Sequence, residues 1–203
     1  MKAVLISIHP KFCELIFNGK KTIEVRKTAP KLETPFKVYV YQTKIKFKVK
    51  NWQENFQSIV FTPNGGVEEG NGKVIGSFVC DEIYVRPANV IYYGKGQEDY
   101  LDLLKSACMT EREVLDYMGG QFNRDTYFWH VTDLKIYDKP RELGEFYTIC
   151  NKYGDDSCGD CPYLAVEQCS FPCDDCVDTW CSVDNIKPIT RPPQSWQYVE
   201  ELQ

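Results

Sequence analysis

The sequence predicts an α+β domain, built as a small, partly open β-barrel with short helices beside it. Three observations point there. Strand-like apolar runs are short and numerous, and they do not alternate with helices, so no βαβ rhythm builds a doubly wound sheet. The helical stretches are few and brief. A glycine, Gly76, interrupts a strand run as it would at a barrel corner. The 203 residues are 43% hydrophobic and 26% charged, a globular composition that excludes general disorder. No stretch approaches the ~20 apolar residues that a membrane span requires, so no membrane partner is expected. The apolar start, Met1 to Ile8, is cut short by His9-Pro10 and is too brief for a signal-peptide core. A cytoplasmic location is the expectation.

Residues 2–8 read as a buried strand. Pro10 then suits a first helical turn, Asn18-Gly19 suits its C-terminal cap, and Phe12, Leu15 and Ile16 form one apolar face. Thr22–Lys27 alternates as a strand, with Ile23 and Val25 on one face and Thr22, Glu24 and Arg26 on the other. Residues 36–41 form a further strand. Residues 44–50 alternate lysine with apolar residues. That pattern fits an edge strand protected by lysines or a basic ribbon facing phosphate. Residues 62–72 are turn-rich, and Lys73–Val85 returns to strand. Two short helices fill 98–118. Thr110–Glu113 is a capping box for the second, and Gly119-Gly120 closes it. Thr126–Tyr137 is another strand, Pro188–Gln194 is extended, and Ser195–Val199 is the last strand.

The net charge of −5 is unevenly spread: residues 1–60 carry +8, residues 61–149 carry −6, and residues 150–184 carry −7. A basic face is therefore available to an acidic protein. The densest chemistry lies in Gly19-Lys20-Lys21-Thr22-Ile23-Glu24-Val25-Arg26. A carboxylate and a guanidinium two residues apart can pair and hold each other in place. By spacing alone they read as an ordinary surface ion pair.

The segment Gly19–Arg26 resembles the signature of the ASCH domain, a branch of the PUA-like superfamily. Gly19, Lys21, Glu24 and Arg26 meet its four fixed positions, G-x-K-x-x-E-x-R. The opening strand and His9-Pro10 helix, residues 39–43, 74–78 and 127–131 resemble the family's other elements. Arg191–Trp196 resembles the closing segment of small bacterial and phage members. The resemblance covers residues 1–146 and 185–203 and implies a barrel of five or six strands. It also implies a cleft over the helix–strand turn that binds RNA or a modified nucleotide. Lys21, Glu24 and Arg26 would line the cleft, with Tyr41, Tyr127 and Trp129 as stacking surfaces; Trp129 suits core packing equally. One enzymatic branch hydrolyses N4-acetylcytidine and resembles this chain at Lys21 and Arg26. That branch carries threonine where Glu24 stands. An amidohydrolase acting on such an acylated nucleoside is the alternative function, with Lys21, Thr22 and Glu24 as candidate catalytic residues and Asp81 and Glu82 as further carboxylates. Neither His9 nor His130 has a sequence partner that would make it a base.

Residues 147–184 read as a separate cysteine-rich insert. Seven of the ten cysteines lie within 32 residues. Cys158 and Cys161 form one C-x-x-C knuckle, and Cys173 and Cys176 form a second. Two such knuckles together can close a tetrahedral Zn²⁺ site. Cys150, Cys169 and Cys181 are further candidates, and an iron–sulfur cluster or reactive or disulfide-bonded cysteines are the other readings. The expected zinc is structural, because a short acidic segment has too little apolar area to fold alone. The insert is also a possible docking point for a protein, which makes an interaction module the third functional reading. Cys13, Cys80 and Cys108 sit among apolar residues and read as core. Metal analysis before and after a strong chelator tests the zinc. The expected result is released zinc with faster proteolysis of residues 147–184; a metal-free protein indifferent to chelator would contradict it.

Overall fold

A computed structural model describes residues 2–44, 70–149 and 187–202. The lysine-alternating run beyond Lys44 and most of the 62–72 loop lie outside the described residues. So do the expected zinc ligands Cys158, Cys161, Cys173 and Cys176, and the further candidates Cys150, Cys169 and Cys181. The elements run β1 (Lys2–Ile8), α1 (Pro10–Phe17), β2 (Ile23–Arg26), β3 (Phe36–Gln42), β4 (Val74–Cys80) and β5 (Ile83–Arg86), then α2 (Lys95–Ser106), α3 (Glu111–Met118), β6 (Thr126–His130), β7 (Thr132–Arg141), a short 3₁₀ turn (Leu143–Glu145) and β8 (Trp196–Glu200). No helix among them is long and apolar enough to cross a membrane.

The described strands form two sheets rather than a closed barrel. The larger has the order β7-β4-β3-β1-β8 and the smaller β2-β6-β5. Two runs that the sequence presents as single strands are each two. The first breaks at Asp81-Glu82 and the second at Val131. Both runs turn together: β4 pairs with β7 in one sheet, and β5 pairs with β6 in the other. The corner stays bonded, since the His130 amide donates to the Glu82 carbonyl (2.9 Å) and the Thr132 hydroxyl to the Val79 carbonyl (3.1 Å). Bending a paired ribbon in this way folds the second sheet over the first and satisfies the backbone groups that a break would expose.

Strand alternation then sorts the side chains into three cores. Val4, Ile6, Ile8, Phe36, Val38, Val40, Phe78 and Trp129 share the central core with Cys13 and Ile16 of α1. Ala3, Leu5, Tyr39 and Tyr41 lie on the opposite face of the large sheet with Phe146, Ile189 and Val199. Ile23, Val25 and Phe128 face Tyr100, Leu104, Val114 and Met118 of α2 and α3. Helix α1 starts where expected: His9 is its N-cap and Pro10 its first residue, and Gly19 follows at φ +73°. Helix α3 opens on the Thr110–Glu113 capping box and ends at left-handed Gly119.

Cys13 and Cys80 are buried as expected, and burial pushes both thiols up to about 12. Cys108 is not core. It is half-buried at φ +50° just after α2, and its thiol donates to the Lys20 carbonyl at 3.2 Å. The described residues on either side of 150–186 are neighbours. The Thr148 amide donates to the Lys187 carbonyl (2.9 Å), and Thr148 also bridges to Val199. Residues 147–149 therefore pair with the sheet region, ahead of any insert.

Gly76 marks the irregularity that its position in the sequence suggested. The β4–β7 register shifts between Val74 and Gly76. A Cβ there would meet the Lys135 carbonyl oxygen at 2.5 Å and Phe17 at 3.1 Å. Gly76→Ala should lower unfolding stability by about 1–3 kcal/mol, the usual range for overpacking. Urea denaturation checks this, and an unchanged midpoint would refute the close approach.

Candidate functional site

The turn after α1 and strand β2 place three charged side chains where apolar ones would be expected. Ile23 and Val25 face α2 and α3, so Glu24 and Arg26 face the other way, into the space between the sheets. There Arg26 lies opposite Tyr127 and Glu24 opposite Trp129. Lys21, Glu24 and Arg26 are only 1%, 5% and 5% exposed. The surface ion pair that spacing suggested is thus a buried cluster.

Each charge has identified partners. Glu24 Oε1 lies 2.9 Å from Arg26 Nη2, and Glu24 Oε2 lies 3.4 Å from Lys21 Nζ. Arg26 Nη2 also donates to the Ser7 carbonyl at 2.8 Å, and Nη1 reaches the Ser195 hydroxyl at 3.5 Å. Lys21 Nζ donates to the Ala107 carbonyl at 2.8 Å. Ala107 is the C-cap of α2, so the ammonium meets the negative end of that helix. The Thr22 amide takes the neighbouring Ser106 carbonyl at 3.0 Å. Two cations against one carboxylate leave the cluster with a formal charge of +1.

The cluster lines a cavity of about 270 Å³, together with Ser7, His9, Phe12, Met109, Tyr117 and Gln194. Its aromatic walls carry their own cations. Lys21 Nζ sits 5.1 Å from the Phe12 ring centroid and Lys27 Nζ 4.9 Å from that of Tyr117. Burial raises the Tyr117 hydroxyl above its ordinary value, against a smaller opposing pull from the Arg26 guanidinium. Burial, then Lys11, lowers His9 below its ordinary value. A groove of about 940 Å³ lies elsewhere, but its charges, such as Lys37 paired with Glu201 at 3.4 Å, are part-exposed. The smaller cavity is the better candidate, because buried charge is costly and is retained where it has work.

The model of the ASCH domain matches residues 6–109, just over half of the chain and the whole of this cluster. The chain belongs to the ASCH domain family. Among solved structures, ASCH from Zymomonas mobilis aligns over 98% of this chain and 88% of its own, with 16% identity and a TM-score of 0.50. A serine-to-alanine mutant of that protein aligns over 98% and 89%, with 15% identity and a TM-score of 0.51. At these identities the likeness is one of fold. No curated protein matches the chain.

Within this ASCH domain the other expected residues are dispersed. Trp129 is fully buried, edge-on to Phe36 at 5.8 Å and tilted against Trp196 at 6.0 Å, so it serves the core and offers no stacking face. Tyr41 is buried on the far face of the large sheet, away from the cavity. Tyr127 is half-buried beside Arg26 and packs against the central core. Thr22 precedes β2 and lines a different pocket, of about 460 Å³, with Tyr84, Asp99, Asp102, Ser106 and His130. His130 does have a partner, outside that lining: its Nδ1 lies 2.8 Å from Asp81 Oδ1, at the β4–β5 corner. Glu82 accepts from the Tyr84 hydroxyl at 2.6 Å, which raises the phenol to about 12. Among the described residues no group of three or more His, Cys, Asp or Glu is placed to hold a metal ion. The knuckle cysteines Cys158, Cys161, Cys173 and Cys176 lie outside the described residues. Tyr117 and the Ala107 carbonyl escape sequence reading, since each lies some 86 residues or more along the chain from Lys21 and carries no motif of its own.

Proposed function

We propose that this chain binds RNA, taking one nucleotide unit into the cavity lined by Lys21, Glu24 and Arg26. The observation that carries the reading is the buried, net-positive cluster at the wall of a cavity with two aromatic sides. The family is of nucleic-acid-binding type. The surroundings of the cavity agree: Lys11 and Lys27 lie over the Phe12 and Tyr117 rings. Aromatic faces interleaved with lysines suit single-stranded nucleic acid, whose bases stack and whose phosphates follow positive charge.

The hydrolytic alternative has less support. An acyl-transfer step needs a hydroxyl beside a lysine that gives up its proton. Thr22 lines the other pocket, and the Lys21 ammonium is held by the Ala107 carbonyl and Glu24. These contacts engage the Lys21 side chain with the protein itself.

Fluorescence anisotropy with a labelled, mixed-sequence single-stranded RNA of twelve or so nucleotides tests the binding. Affinity should fall about linearly with the logarithm of salt, with a slope near −0.7 for each phosphate neutralised. Lys27→Ala removes one half-buried cation beside the cavity wall and should weaken binding about two- to tenfold while flattening that slope. No retention of RNA at low salt would overturn the reading.

A further inference from the structure

The groove of about 940 Å³ lies at the end of the large sheet where β1, β3 and β7 begin and β4 finishes. Strand register shows how it arises. On the outer face, Tyr39 pairs with Ser77 and Ser77 with Lys135, and the next row is Lys37, Val79 and Thr132. Phe146 covers Tyr39, with 4.9 Å between ring centroids, and the Leu202 amide donates to the Tyr39 hydroxyl at 2.9 Å. Beyond Tyr39 that covering layer gives way, and Lys37, Ser77, Val79 and Lys135 line the groove. Leu32 and Leu134 add apolar walls.

Two donors in this groove are unused. Ser77 is 2% exposed, and its hydroxyl has no hydrogen-bond partner among the described residues. That hydroxyl is not sealed from the groove, unlike the unpartnered atoms of Thr126 and Trp129. Lys135 stands beside it on β7 and makes no ion pair among the described residues, whereas Lys37 is paired with Glu201 at 3.4 Å. A buried hydroxyl without an acceptor is costly, and an ammonium next to it selects an acceptor that carries negative charge. A phosphate is a poor fit, because Glu33, Asp133 and Glu201 line the same groove and repel a dianion more than a single charge. A carboxylate on an apolar stem is a good one, with the stem against Val79 and Leu134.

The length of the groove points to a chain. From β7 across β4 and β3 to β1 are three interstrand steps of ~4.8 Å, about 14 Å in all. An extended peptide covers that distance with about four residues. Glu33 and Asp133 also lie outside any ion pair among the described residues. Peptide N–H groups supply donors to such carboxylates, and a simple organic acid does not.

We propose that this groove docks an extended peptide of a partner protein, with one acidic side chain held by Lys135 Nζ and Ser77 Oγ. The site is separate from the cavity at Lys21 and does not depend on RNA binding.

Amide NMR shifts on the full chain test this with acetyl-Leu-Ala-Glu-Ala-amide and its glutamine counterpart. The glutamate peptide should shift the amides of Ser77, Val79 and Lys135 saturably and leave those of Lys21, Glu24 and Arg26 in place. The glutamine peptide should bind at least about tenfold more weakly, the loss expected for one charge-assisted hydrogen bond. Lys135→Met, a change at an exposed side chain, should abolish that difference and leave RNA affinity unchanged. Ser77→Ala should weaken the glutamate peptide without lowering the unfolding midpoint, since the hydroxyl it removes has no partner to lose. Equal binding of the two peptides, shifts centred elsewhere, or no shift at millimolar peptide would overturn the proposal. Free hexanoate binding as tightly as the glutamate peptide would overturn it too, since the groove would then be a site for small organic acids. None of these outcomes would touch the RNA reading, which has its own test.

Discussion

Glu24 stands between Lys21 and Arg26 with all three side chains withdrawn from water. Charges so buried are tolerated only when paired and hydrogen-bonded, because their desolvation rivals the attraction between them. The surrounding architecture supplies that compensation. The end of β1 gives a carbonyl from Ser7, the closing segment gives the Ser195 hydroxyl, and the C-terminus of α2 gives the Ala107 carbonyl. Parts of the chain far apart in sequence thus converge on one ion cluster. Replacing the cluster with apolar residues would hold the sheets together as well. Under the proposed RNA binding, the charges serve the guest rather than stability.

The cavity in turn depends on the bent ribbon. Because β4–β5 and β6–β7 turn the corner together, the small sheet lies over the large one, and the inward face of β2 reaches the central core. The closing segment is strapped to the end of β1 by the Ser7 amide to the Ser195 carbonyl (2.9 Å) and the Ser7 hydroxyl to the Pro193 carbonyl (2.7 Å). That strap carries Gln194 to the cavity wall. Packing on one side and hydrogen bonding on the other therefore fix the side chains before any ligand arrives, which lowers the ordering cost of binding.

Much of this was legible in the residues. The cap signals at His9-Pro10, Asn18-Gly19 and Thr110–Glu113 act locally, and the structure places helix ends at each of them. The alternation in β2 correctly put Glu24 and Arg26 on one face. It could not say that this face is the interior, since Ile23 and Val25 looked like the buried side; in fact both faces are covered. For the same reason Trp129 reads equally as core or stacking surface until its packing against Phe36 and Trp196 is known. The corners at Asp81-Glu82 and Val131 carry no proline or glycine, so two strands read as one. Tyr117 and the pairing of His130 with Asp81 are contacts of long sequence separation, set by tertiary packing alone. The knuckles at Cys158 and Cys161 and at Cys173 and Cys176, clear as a pattern, lie outside the described residues.

Stability and RNA binding measured on one set of variants test the central claim most directly. The set is Lys21→Met, Glu24→Met, Arg26→Met and the triple replacement. Leaving a buried charge unpaired should make Glu24→Met unstable by about 3–5 kcal/mol, whereas removing all three charges should restore stability to within about 1–2 kcal/mol of the starting protein. RNA retention should nevertheless be lost in the triple variant. A triple variant that still binds RNA with the same salt dependence would contradict the account, as would single variants that unfold like the original chain.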